Sequence, residues 1–190
     1  IDCVFAVIHT PEGAILYACD FKLDRMPTMG EQPDFDRLKS LGEEGVIAMI
    51  TESTNSGVPG KTPSERIAHD LVRDVLLGTE ESDVGMIVTT FASHIARINS
   101  IIKFAAEMGR IPVLIGRAMD NYVLTAKELG YIDLPDNIEI YGARKDVDKA
   151  LKKIVNKGKD KYLPIVTGHQ GEPGAILPRI ANGETPYTIE

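Results

Sequence analysis

A few short segments hold nearly all the side chains that could do chemistry. Asp20 and Glu52 each follow directly on an apolar run, in Tyr17-Ala18-Cys19-Asp20 and Met49-Ile50-Thr51-Glu52. A carboxylate in such a place can ligate a cation, or more plainly cap a helix or pair with a base. Ser93-His94 and Gly168-His169 also follow apolar runs and are read as helix starts, where backbone N–H groups with a hydroxyl or imidazole make an anion cradle. Ordinary capping is the plain alternative. Arg97 and Arg117 suit phosphate, because a guanidinium fork matches two oxygens at once. The four histidines, His9, His69, His94 and His169, are far apart, with no HxH, HxxxH or HExxH among them. His9 reads as a structural residue beside a turn and His69 as the surface of a helix. Gly57 to Thr62 ends in Gly-Lys-Thr but lacks the spacing of a phosphate loop, and Pro59 interrupts it.

These groups must be held by regular elements. Val4–Ile8 and Ala14–Ala18 flank a Pro-Glu-Gly turn and predict a hairpin. A short helix is expected over Asp34–Leu41, ended by Gly42. From Gly45 the rhythm changes to alternating strands and helices: strand Val46–Ile50, then a helix capped by Thr62 with Pro63 in its first turn. The same alternation continues with strand Met86–Thr90, helix Ser93–Met108, strand Pro112–Ile115, helix Met119–Leu129, strand Ile138–Tyr141, helix Lys145–Asn156 and strand Leu163–Thr167. Continuous apolar strands between helices predict a doubly wound, mainly parallel α/β sheet, each strand buried, preceded by an antiparallel hairpin. Ligands of such sheets bind beyond the carboxyl ends of the strands, where the groups above lie.

Composition narrows the class. The 190 residues are 43% hydrophobic, which is enough for a sizeable core. The 28 acidic against 21 basic residues give a net charge of −7 and argue against a generally basic nucleic-acid binder. One basic block stands out, with eight Lys and Arg against three Asp from Arg144 to Lys161, and reads as a solvated helix face or a phosphate contact. No apolar run is long enough for a membrane helix. Two cysteines, Cys3 and Cys19, make no disulfide framework and read as buried thiols of a cytoplasmic protein. The start at Ile1, with a strand almost at once, reads as a piece of something longer.

Taken in order, Tyr17–Asp24, Glu52–Asn55, Thr89–Arg97 and Thr167–Pro173 resemble the β-CASP ribonucleases of the metallo-β-lactamase superfamily, most closely the archaeal ribonuclease J group. The resemblance runs over almost the whole chain. It implies a hairpin of the metallo-β-lactamase domain over 1–27 and a β-CASP domain over 28–190. It implies a pair of zinc ions in the complete enzyme, with Asp20 as the bridging metal ligand and Glu52 supporting the catalytic site. It implies single-stranded RNA as partner, gripped through Ser93, His94, Arg97, Arg117, Gly168 and His169, and it leaves room for a homodimer of the complete enzyme. The family's His-x-His-x-Asp-His motif does not occur in this sequence, and the other metal-site histidines are expected before Ile1 and beyond Glu190. The 190 residues alone are therefore expected neither to retain zinc nor to cleave RNA. Without the resemblance, the residues describe a doubly wound module that binds a small phosphorylated ligand at its strand ends. A purely structural dimerisation domain is a third reading, suggested by the apolar helix positions.

Overall fold

The computed structural model describes residues 4–78 and 83–189. The chain forms two compact units that divide between Ala68 and His69.

In the first unit, β1 (Phe5–Thr10) and β2 (Gly13–Ala18) form the expected hairpin, paired antiparallel from Phe5↔Ala18 to Thr10↔Gly13. Helix α1 (Phe35–Glu44) starts where Asp34 accepts a hydrogen bond from the Arg37 N–H at 2.8 Å. It runs through Gly42 and ends only at Gly45, whose φ of 101° breaks the helical path. Strand β3 (Val46–Thr51) departs from the expected order. It pairs parallel with β2, giving the sheet β1-β2-β3, so the hairpin is the start of a three-stranded mixed sheet. An apolar run shows that a strand exists but not which edge it joins, and β2–α1–β3 is a standard crossover onto the open edge of β2. Nor is β3 buried: Ile47, Met49 and Ile50 are each more than half exposed. Cys19 is likewise exposed, not buried, because it lies just past the last paired residue, Ala18; Cys3 lies outside the described residues.

Beyond β2 the chain is tied down by Asp24, a nearly buried carboxylate. It accepts hydrogen bonds from the Met26 N–H at 2.9 Å and from the Glu65 N–H at 2.7 Å, and Lys22 lies 3.6 Å away. Glu65 opens α2 (Glu65–Leu77), so a residue 41 positions away caps this helix together with Ser64, rather than the expected Thr62. Burial by itself would raise the Asp24 pKa. The hydrogen bonds from Glu65, Ser64 and Met26, with the Lys22 charge, outweigh burial and hold it at about 2.

In the second unit, β4 (Val88–Thr89), β5 (Ile111–Ile115), β6 (Glu139–Tyr141) and β7 (Tyr162–Val166) form an all-parallel sheet in the order β4-β7-β5-β6. Helices α3 (Ile95–Glu107), α4 (Arg117–Glu128) and α5 (Arg144–Lys157) are the expected crossovers. Side chains alternate along each strand. Val113 and Ile115 of β5, with Tyr162 and Val166 of β7, pack against Val147, Leu151 and Ile154 of α5 and Ile176 and Ile180 of α6 (Ile176–Ala181). Leu114, Leu163 and Ile165 point to the other face, that of α3 and α4, and are fully buried.

Strand β4 is shorter than its apolar run, for a physical reason. The Thr90 N–H donates to the Val166 carbonyl at 3.1 Å, so the backbone groups of Val166 and, by alternation, Pro164 face β4. Pro164 has no N–H to give the next rung, and pairing begins only at Val88. Helix α6 gives no sequence signal, because six residues containing a proline carry no readable period. Pro178 sits in its first turn, where a missing N–H costs nothing. His69 is partly buried rather than on the helix surface, with its ring 5.0 Å from that of Phe104. Among the described residues no helix is long and apolar enough to cross a membrane.

Because the folded pKa of Asp24 is depressed, its stabilisation is full above the ordinary aspartate pKa and is lost as pH falls toward about 2. Asp24→Asn is expected to lower stability at neutral pH by roughly 1–3 kcal/mol. It should also flatten the loss of stability between about pH 4 and pH 2. Urea melts of both proteins across that range check this.

Candidate functional site

In the first unit, parallel pairing of β2 with β3 sets Ala18 opposite Thr51. Asp20 and Glu52 therefore leave the sheet at the same end, two residues and one residue past that rung. Asp20 is exposed. Glu52 closes a turn by accepting a hydrogen bond from the Thr54 N–H. Hydrogen bonds from the Thr54 hydroxyl and N–H hold its carboxyl below the usual carboxylate range, so it stays ionised at neutral pH. Among the described residues no group of three or more His, Cys, Asp or Glu converges on a point that could hold a metal ion. A zinc site needs about three or four ligands, so these two carboxylates do not fit a zinc pair by themselves.

In the second unit, adjacency of β4 and β7 brings together the two segments that the sequence singled out. Thr89 lies opposite Val166, and the chain leaves both strands at one edge. The rings of Phe91 and His169 meet edge to face with centroids 4.2 Å apart, and Phe91 is 48% exposed. Ser93 is exposed beside them in the chain. It is His94, not Ser93, that caps α3, with Nδ1 accepting from the Arg97 N–H at 3.4 Å. That acceptor role requires an unprotonated Nδ1.

No helix starts at Gly168-His169, contrary to expectation. Three glycines with φ of 116°, 74° and 78°, Gly168, Gly171 and Gly174, bend residues 167–174 into successive turns, and α6 begins only at Ile176. The Gly171 N–H donates to the Gly168 carbonyl, the Ala175 N–H to the Glu172 carbonyl, and the Leu177 N–H to the Thr167 carbonyl. A Cβ on Gly168 would stand 2.5 Å from Pro178 Cδ, so the loop packs directly on the first turn of α6.

Arg117 lies in the first turn of α4, after β5, and shares a cavity with Thr167 and Gly174 of this loop and with Arg144 and Arg179. Neither of those two arginines is among the residues that the sequence marks as candidates. Arg144 follows the strand Glu139–Tyr141 and would have been found by extending the strand-end reading to that strand; Arg179 is carried on the unforeseen α6. The basic block is partly occupied by structural work. Lys153 pairs with Glu139 at 2.6 Å, and Lys159 donates to the Thr188 carbonyl at 2.9 Å.

The loop geometry separates two costs at its glycines. Gly171→Ala meets open space and should cost roughly 1–2 kcal/mol of backbone strain alone. Gly168→Ala adds steric conflict with Pro178 and should cost roughly 1–3 kcal/mol more. Denaturant unfolding of the two variants compares them; equal losses would contradict the packing of Gly168 on α6.

Comparison with known proteins gives a consistent result. Residues 83–188 match the model for the ribonuclease J β-CASP domain. The chain is 48% identical to ribonuclease J of Methanocaldococcus jannaschii over 189 residues, covering 100% of this chain and 42% of the relative. It is 50% identical to ribonuclease J of Pyrococcus abyssi over 178 residues, 94% of this chain and 39% of that protein. With ribonuclease J of Synechocystis the identity is 37%, over 97% of this chain and 27% of the relative. The chain thus spans about two fifths of the length of the two archaeal relatives. With more than half its length matching one domain model and this likeness to archaeal and bacterial proteins of one name, the chain belongs to the ribonuclease J family.

Proposed function

We propose that this chain is the RNA-gripping part of a ribonuclease that hydrolyses phosphodiester bonds of single-stranded RNA. The observation that carries the reading is the meeting of Phe91–Arg97 with Thr167–Pro173 at the carboxyl ends of β4 and β7, with Phe91 and His169 in ring contact. An exposed aromatic ring braced by an imidazole offers a base a stacking surface, the common device for holding unpaired RNA. The Ser93 hydroxyl, the Arg97 guanidinium and the His169 ring supply donors for phosphate. His94 acts through position, by fixing the first turn of α3. The net charge of −7 favours a local grip over a generally basic surface.

Within this reading Asp20 is one metal ligand of the longer enzyme, and Glu52 stiffens the neighbouring strand end through its bond to Thr54. The remaining ligands of a zinc pair then come from outside these residues. A bound pair of zinc ions would supply the hydrolytic water and stabilise phosphoryl charge.

Ser93→Ala should weaken binding of a single-stranded oligoribonucleotide by roughly tenfold, the worth of one charge-assisted hydrogen bond, and leave the melting temperature unchanged. His94→Ala should lower stability by roughly 0.5–2 kcal/mol through loss of the cap. Wild-type RNA affinity in Ser93→Ala would remove this strand end from the RNA path. For the metal, the 190-residue chain should retain no stoichiometric zinc after dialysis, and in the longer enzyme Asp20→Asn should cut turnover by about two orders of magnitude or more. Elemental analysis and single-turnover cleavage measure the two; full metal occupancy with normal turnover in Asp20→Asn would exclude Asp20 from the centre.

A further inference from the structure

Helix α5 turns a face of one charge outward. Its buried residues are Val147, Ala150, Leu151 and Ile154, which belong to the core of the second unit. At 3.6 residues per turn, Lys145, Lys149 and Lys152 fall on the side directly opposite. All three are exposed. They stand at i, i+4 and i+7, a straight row that rises about 6 Å and then about 4.5 Å along the axis. The row begins at the sheet edge where the chain leaves β6 for α5, and runs back along the outside of the unit.

The neighbouring charges are engaged elsewhere. Asp148 lies 3.3 Å from Arg179, and Asp146 is half-buried in the first turn of the helix. Lys153 lies off the row and is held by Glu139 at 2.6 Å. Among the described residues no carboxylate pairs with Lys145, Lys149 or Lys152. Like charges three and four residues apart destabilise a helix. The row therefore costs the free protein stability, although the chain as a whole carries a charge of −7. A bound polyanion would offset that cost.

We propose that this lysine row binds the sugar–phosphate backbone of RNA beyond the strand-end site, without regard to sequence. The choice of RNA as the polyanion rests on the proposed function, whereas the row itself stands on the geometry of α5. Ammonium groups are compact charges on flexible stems, suited to holding phosphates and not to reading bases. The row starts at the same carboxyl edge of the sheet as Phe91 and His169, so a strand gripped there can continue onto α5.

The test is the salt dependence of oligouridylate binding to the chain, followed by fluorescence anisotropy. Each phosphate neutralised on a single strand contributes about 0.7 to the slope of log affinity against log salt. Lys145→Gln, Lys149→Gln and Lys152→Gln combined should lower that slope by about 2 and weaken binding roughly tenfold or more at low salt. The melting temperature should not fall, because the variant removes repulsion and glutamine is a good helix former. Lys103→Gln with Lys127→Gln, at exposed positions of α3 and α4 on the other face, should keep the wild-type slope. Ser93→Ala, which removes no charge, should weaken binding and leave the slope unchanged. A wild-type slope in the triple variant, beside a weakened Ser93→Ala, overturns the row alone. Full affinity in Ser93→Ala with a reduced slope in the triple variant keeps the row and removes the strand end. Absence of RNA binding by the wild type overturns both. An equal loss per charge in the control makes the effect one of net charge, and displacement of RNA by polyglutamate as readily as by polyuridylate makes the partner an acidic polypeptide; either result overturns the assignment to RNA.

Discussion

Everything of chemical interest in the second unit depends on four strands running the same way. Parallel hydrogen bonding of β4, β7, β5 and β6 sends the chain out of each strand at one edge of the sheet. Phe91, His169, Arg117 and Arg144 reach that edge from segments far apart in sequence. The strand that holds the rest in place is β7, buried along its whole length and hydrogen-bonded on both sides. The first unit repeats the device on a smaller scale, since parallel pairing of β2 and β3 is what puts Asp20 and Glu52 at one end.

Much of this was legible in the residues. Apolar runs of four or five residues separated by amphipathic stretches located every strand of the larger sheet, and Pro11-Glu12-Gly13 located the hairpin. The strand-end rule points to Phe91–Arg97 and Thr167–Pro173 without any knowledge of strand pairing. What escaped was information that is not local. Whether β3 joins the hairpin or the larger sheet depends on which edge is open, and its residues are compatible with either. Ser93 and His94 can each cap a helix, and backbone geometry selects His94. The expected helix at Gly168 overlooked three glycines in seven residues, a local signal against regular structure. Arg179 could not be placed without α6, too short and proline-bearing to show a period.

The two groups of cations in the second unit differ in how much of their charge is already engaged. Lys153 is bound to Glu139, and that hydrogen bond, more than the opposing cost of burial, raises the pKa of its ammonium. The same Glu139 accepts from the Tyr141 hydroxyl at 2.7 Å, so this part of the basic block forms a closed network beside β6. In the cavity beyond β5, Arg179 is likewise paired, with Asp148 at 3.3 Å and Glu184 at 3.9 Å, while Arg117 and Arg144 have no acid among the residues lining it.

The reach of Asp24 has a kinetic side. Its bond to the Glu65 N–H spans 41 positions, and the intervening chain contains α1 and β3. Closing such a loop costs entropy before any bond is gained, and that cost falls sharply once the intervening segment has been shortened by its own folding. Pairing of β3 onto β2 does this shortening, because it already brings Thr51 level with Ala18. Loop entropy is therefore least costly when the hairpin and crossover precede the cap, which places the Asp24 bond to α2 late in the least costly order.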